Sequence, residues 1–200
     1  MSNRHRTTAN EEIVSNDHGS GPGDEAKAYW RFGAMIVTAM VVMYAVMYLN
    51  TYEISHVQWS QTRFFMTLLM GASMAVIMLG FMLGMYRNRK VNLAIVAGAV
   101  VLFALATWLV RSQTTVGDDS YMSAMIPHHS IAILTSERSQ IEDQRVCALA
   151  VEIAEAQRRE IDEMSWLIDD IARNGPAEDP VEAAARPVPE FTGTAIRTCG

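Results

Sequence analysis

The chain has 200 residues, half of them hydrophobic, and a formal net charge of −6. That length leaves room for one small domain beside any membrane part, and the acidic balance, with no basic stripe in the polar half, gives no footing for nucleic-acid binding. What the composition points to instead depends on where the apolar residues fall, and they fall unevenly.

Residues 1–28 are polar, with Gly19, Gly21, Pro22 and Gly23 and no apolar run. They are expected to form a disordered cytoplasmic arm and not a cleaved secretory signal. Three apolar blocks follow, 32–50, 64–86 and 91–110, and none carries an acidic or basic side chain. Each is about the 20 residues needed to cross a bilayer core, so residues 29–111 are predicted to be a three-helix transmembrane region in contact with lipid. Arg87, Arg89 and Lys90 between the second and third blocks, and Arg4, Arg6, Lys27 and Arg31 before the first, place the amino terminus in the cytoplasm. An odd number of spans then puts residues after Arg111 on the outer side. Trp30, Tyr48, Tyr52, Tyr86 and Trp108 lie near the block ends, as interfacial anchors should. Methionines recur along the first two blocks and read as flexible packing, and Gly80-x-x-x-Gly84 suggests a close helix contact.

The outer segment, 118–172, reads as two antiparallel helices. The first, 119–138, carries Met122, Met125, His129 and Ile133 on its inner stripe; the second, 143–172, carries Val146, Ala150, Ile153, Gln157, Glu160 or Ile161, Met164, Ile168 and Ile171. Pro127 inside the first helix is expected to kink it or to open a new one. Residues 175–200, with Pro176, Pro180, Pro187 and Pro189, read as a flexible tail. Cys147 and Cys199 lie in a compartment that permits a disulfide, but unpaired thiols or a bridge between chains fit the sequence as well. Two helices bury too little surface alone, so a homodimer completing a four-helix bundle is the expected partner arrangement.

Met122, Met125, His128 and His129 gather two thioethers and two imidazoles within eight residues. That ligand set suits a soft cation such as Cu(I), or Ag(I) by similarity, and not calcium, magnesium or manganese. The second helix offers Met164 as a further thioether, and Gln157 and Glu160 as partners that would orient an imidazole. In the competing reading the methionines fill a core and the histidines hydrogen-bond to Gln157 and Glu160. His56, in the first outer loop, is a candidate to join a composite site or simply a solvated side chain.

Met125-Ile126-Pro127-His128-His129, followed by Ala156-Gln157-Arg158-Arg159-Glu160-Ile161-Asp162-Glu163-Met164, resembles the domain of unknown function 305 family, ferritin-like helical domains of bacterial envelope and secreted proteins. The membrane half, with Met47-Tyr48-Leu49-Asn50-Thr51-Tyr52 and Gly80-Phe81-Met82-Leu83-Gly84-Met85-Tyr86, resembles the anchor of a membrane-bound subgroup. The resemblance implies extracytoplasmic copper binding and, in some members, copper tolerance. Many members follow the histidine pair with Gln where this chain has Ser130, and larger members carry two copies of the helical unit where this chain has one.

The expected fold is therefore all-α, three transmembrane helices followed by an extracytoplasmic helical hairpin, a ferritin-like half-bundle. The expected function is non-enzymatic: a multi-pass protein of the bacterial cytoplasmic membrane that holds a copper ion through Met122, Met125, His128, His129 and Met164, with no organic cofactor. A structural or partner-binding envelope protein is the alternative. A di-metal oxidase fits less well, because no Glu-x-x-His motif stands in the outer helices and thioethers suit oxidative iron chemistry poorly.

Overall fold

The computed structural model describes residues 22–199, and all regular structure among them is helical. Helix α1 (Pro22–Val46), α2 (Gln61–Phe81) and α3 (Arg89–Ser112) are each long and apolar enough to cross a membrane. Residues 1–21, most of the expected arm, lie outside the described residues, while 22–28 form the first turns of α1 where a disordered arm was expected. Ser60 accepts a hydrogen bond from the Arg63 amide to start α2, and the Asn88 side chain does the same for Lys90 and Val91 at the start of α3. Gln113, at φ 53°, closes α3 in the left-handed conformation and turns the chain into the C-terminal unit.

Helix α2 packs against both α1 and α3. Phe32, Ile36, Leu79 and Tyr86 form the core, with Met40, Met74, Met78 and Met82 packed around it. The methionines here fill space between helices, as the packing reading expects. Met40 lies against Gly71, where a side chain on the glycine would collide with it. Gly80 and Gly84, expected at a helix contact, face open space, so Gly71 is the glycine that brings α1 and α2 together. Outward, these helices present Val37, Val41, Ile77, Leu93, Val101 and similar residues, a surface suited to lipid.

The C-terminal unit consists of α4 (Asp118–Arg138), α5 (Gln144–Asn174) and the short α6 (Pro180–Ala185). Asp143 caps α5, accepting from the amides of Arg145 and Val146. Helices α4 and α5 pack along each other around Ile126, Ile133 and Ile161, with Tyr52, Met164 and Ile168 at the margin. Helix α4 runs through Pro127 as one element and does not restart there; the proline ring is itself buried.

Two stripes differ from the expected ones. On α5 the buried residues are Cys147, Ala150, Ala154 and Ile161, whereas Val146 and Ile153 are 49% and 37% exposed. Ala150 and Ile161 keep their expected inward places, while Cys147 and Ala154 turn in where Val146 and Ile153 were expected, a partial turn of the helix that brings small residues inward. On α4 the buried set is Met122, Ile126, His129, Ser130, Ile133 and Ser136, so Ile126 takes the inner place expected for Met125. Alanine and serine at these positions let the two backbones approach closely.

Two further segments cover this helix pair. The first loop carries a 3-10 turn, Ile54–His56, that touches α4. There the Tyr52 amide donates to Ser130 Oγ at 2.7 Å, and His56 Nδ1 lies 2.9 Å from the same oxygen. The segment after Gly175, expected as a loose tail, returns along the pair. Arg186 donates to Asp170 at 2.6 Å, the amides of Ile196 and Arg197 donate to Glu137, and Cys199 is disulfide-bonded to Cys147.

Ser130→Ala should strand the Tyr52 amide and the His56 ring, and is expected to cost about 1–3 kcal/mol in denaturant unfolding of the solubilised protein. Burial lowers the His56 pKa, against an opposing pull from Glu53 and Asp162. The folded imidazole thus takes a proton less readily than an unfolded one, so docking of the loop is complete above about pH 6.5 and weakens as the pH falls below it. Amide exchange at residues 52–57, measured from pH 7.5 to 5.5 and corrected for the intrinsic rate, should show that loss, and His56→Gln should abolish its pH dependence.

Candidate functional site

Helix α4 presents the two adjacent histidines in different directions, because neighbouring helical positions are about 100° apart. His129 turns toward α5 and is 9% exposed; His128 turns away and is exposed. Their rings lie 5.9 Å apart, centroid to centroid.

His129 is held at both nitrogens. Nδ1 faces the Met125 carbonyl at 2.8 Å, and Nε2 faces Glu160 Oε2 at 2.8 Å. A carbonyl only accepts, so Nδ1 carries a proton. The contact at Nε2 then needs one more proton, either on the ring or on the carboxyl. Gln157 Nε2 donates to the same carboxylate oxygen at 3.3 Å. Of the partners that the competing reading gave the histidines, Glu160 is the one that His129 meets, and Gln157 bonds to Glu160. It also fixes the tautomer: Nε2 is the nitrogen left to accept a proton or a metal, and Glu160 stands in front of it.

His128 and Met125 line a cleft of about 270 Å³ with Ser60 and Arg63 from the start of α2 and Tyr121 from α4. An imidazole and a thioether thus share one opening at the foot of α4. Met122 is buried in α4, and Met164 packs against the Ile126, Ile133 and Ile161 cluster. The five residues expected to share one site are therefore divided. Met125 and His128 meet in the cleft, His129 pairs with Glu160 across the helix seam, and Met122 and Met164 are packed side chains.

Among the described residues no group of three or more His, Cys, Asp or Glu side chains is arranged to hold a metal ion. Met125 and His128 line one cleft, and the His129 ring lies 5.9 Å from that of His128; thioether and imidazole are donor types suited to a soft ion.

A second cleft, of about 330 Å³, went unanticipated. Glu53 and His56 of the first loop, Arg158 and Asp162 of α5, and Thr192 and Thr194 of the tail surround it, over Ile133 and Ile161. Arg158 donates to Glu137 at 3.2 Å and lies 4.8 Å over the Tyr52 ring, while its Nε is buried without a partner. Burial by itself would raise the Glu137 pKa, but bonds from the Ile196 amide, the Arg158 side chain and the Arg197 amide together hold it below its usual range. The sequence carried one signal for this cluster, Ser130 beside the histidine pair. The tail residues carried none.

Residues 111–191 match the family described as Domain of unknown function (DUF305). The chain is also similar to "Uncharacterized protein L153" of Acanthamoeba polyphaga mimivirus, 29% identical over 144 residues that cover 68% of this chain and 93% of that protein. No solved structure matches. The match takes in the whole of α4, α5 and α6 with the histidine pair and its Glu160 partner, so over residues 111–191 the chain is similar to that family.

Proposed function

We propose that this protein is a membrane-anchored, non-enzymatic metal-binding protein that takes up Cu(I), or Ag(I) by chemical likeness, through Met125 and His128 in the cleft at the foot of α4. The observation that carries this reading is the shared cleft: a thioether and an exposed imidazole line one opening at the base of the unit. His129 joins when Nε2 exchanges its contact with Glu160 for the ion, its orientation already fixed by the Met125 carbonyl. Met122 and Met164 then act as packing behind the site. Arg87, Arg89 and Lys90 put the short α2–α3 turn in the cytoplasm and the C-terminal unit on the outer side of a bacterial cytoplasmic membrane, where sequestering or handing on copper is the natural task. Val146, Leu149 and Ile153 form an exposed apolar row on α5, and a second copy of the chain packed there would give the four-helix arrangement.

One observation favours a second reading. Both nitrogens of His129 are already engaged within the protein, as they would be in a purely structural polar pair between two helices. In that case the unit is a structural or partner-binding module.

Anaerobic Cu(I) titration of the full chain in detergent, against a chromogenic chelator, separates the two. The metal reading expects one equivalent per chain, lost in Met125→Leu with His128→Ala and not weakened by Glu160→Gln, because the Met125 carbonyl orients the His129 ring and Glu160 competes with the ion for Nε2. It also expects weaker binding at lower pH, because each imidazole must give up its proton. No uptake by the folded wild-type chain rejects the function. Full uptake by the double variant rejects the site.

A further inference from the structure

The tail after Arg186 has no regular structure, and most of its side chains are exposed, including Val188, Ile196 and Cys199. It nevertheless follows a definite path. Gly193 lies so close to α5 that a Cβ there would run into the Glu155 carbonyl, and Thr192 and Thr194 roof the cleft that holds His56, Arg158 and Asp162. Beyond the cleft the Arg197 guanidinium donates to the carbonyls of Ser136, Glu137 and Ser139, which end α4. Glu137 binds both the tail amides and Arg158 in the cleft wall, so one carboxylate serves both.

Apart from the disulfide, the segment is held by a few hydrogen bonds in partly exposed surroundings and by little apolar burial. Such contacts are individually weak, and ordering a dozen residues of coil opposes them. The Cys147–Cys199 bond ties the far end of the segment to α5, so the coil between Arg186 and Cys199 is anchored at both ends and has less freedom to lose on ordering. Cys147 is buried on α5, whereas Cys199 is exposed and open to an attacking thiolate. The strap residues 192–199 lie beyond the region shared with the family.

We propose that residues 187–199 are a redox-latched strap: the Cys147–Cys199 disulfide keeps it across the cleft between the first loop and α5, and reduction by a dithiol releases it and opens that cleft. One thiolate of the dithiol attacks the Cys199 sulfur, forming a mixed disulfide, and Cys147 leaves as a thiolate that takes up a proton. The second thiol of the reductant then displaces Cys199, which is protonated in turn. Two electrons and two protons pass to the cysteines and the reductant becomes a disulfide. The copper site at Met125 and His128 is in a different cleft, so the latch stands or falls independently of it.

The test is amide hydrogen exchange on the full chain in lipid nanodiscs, comparing the oxidised protein, the same sample after dithiothreitol, and a Cys199→Ser variant. Thiol labelling confirms that both cysteines are free after reduction. Reduction and the variant should both accelerate exchange about tenfold or more in 187–199 and in the first loop at 53–58, with α4 at 126–133 and α5 at 154–161 still protected. Cleavage after Glu190 by a glutamyl endopeptidase should rise in parallel. A strap that stays protected with both thiols free overturns the proposal, since the hydrogen bonds alone would then hold it. Loss of protection in α4 and α5 as well also overturns it, because the bond would then be a staple for the whole unit.

Discussion

A pair of packed helices leaves apolar surface on both sides of its seam, and the C-terminal unit is organised around covering it. Helices α4 and α5 meet at Ile126, Ile133 and Ile161, a seam too narrow to support a unit of this size. Coverage comes from two segments of the same chain. The first loop reaches α4 through Ser130, and the tail closes over α5 through Glu137 and the disulfide. Both attachments use a buried or half-buried polar group that would be costly to leave alone, so each segment is drawn to one place. The loop also comes from the apolar half of the chain, which ties the unit to the helices α1 and α2 on either side of it.

That organisation separates the two histidines chemically. His129 sits at the seam, where burial demands partners at both nitrogens and the Met125 carbonyl and Glu160 supply them. His128, one residue earlier, turns out of the seam into a cleft with a thioether beside it. A pair that looks like a single motif in the sequence thus divides into a locked imidazole and an open one. If an ion binds, the open one is free to receive it and the locked one is recruited only by giving up its contact with Glu160.

Much of the architecture was legible beforehand. Three apolar blocks of span length read as helices, since in lipid a lone segment satisfies its backbone only as a helix, and helices they are. The helical periodicity of α4 and α5 also followed from spacing, and the contact of His129 with Glu160 was one of the two readings the sequence left open. The failures share one cause. Periodicity fixes which residues share a face but tolerates a partial rotation when small residues flank the stripe, so Val146 and Ile153 turned outward while Cys147 and Ala154 turned in. Gly80 and Gly84 had the spacing of a contact motif, yet the neighbouring helix approaches at Gly71. The tail lacked any periodicity, because a strap held by backbone amides, one arginine and one cysteine leaves no pattern to read.

By itself the sequence determined the helical class, the membrane-length segments and the clustering of thioether and imidazole side chains on α4, because each of these is set by composition and local spacing. Only the tertiary structure decided that Cys147 and Cys199 join, that Ser130 receives the first loop, and that Ser60 and Arg63 of α2 close a cleft against Met125 and His128. Those outcomes depend on which surfaces meet at distances of tens to more than seventy residues along the chain. Contacts of that range are selected by packing and by the cost of unpaired polar groups, and neither is written into a local stretch of residues.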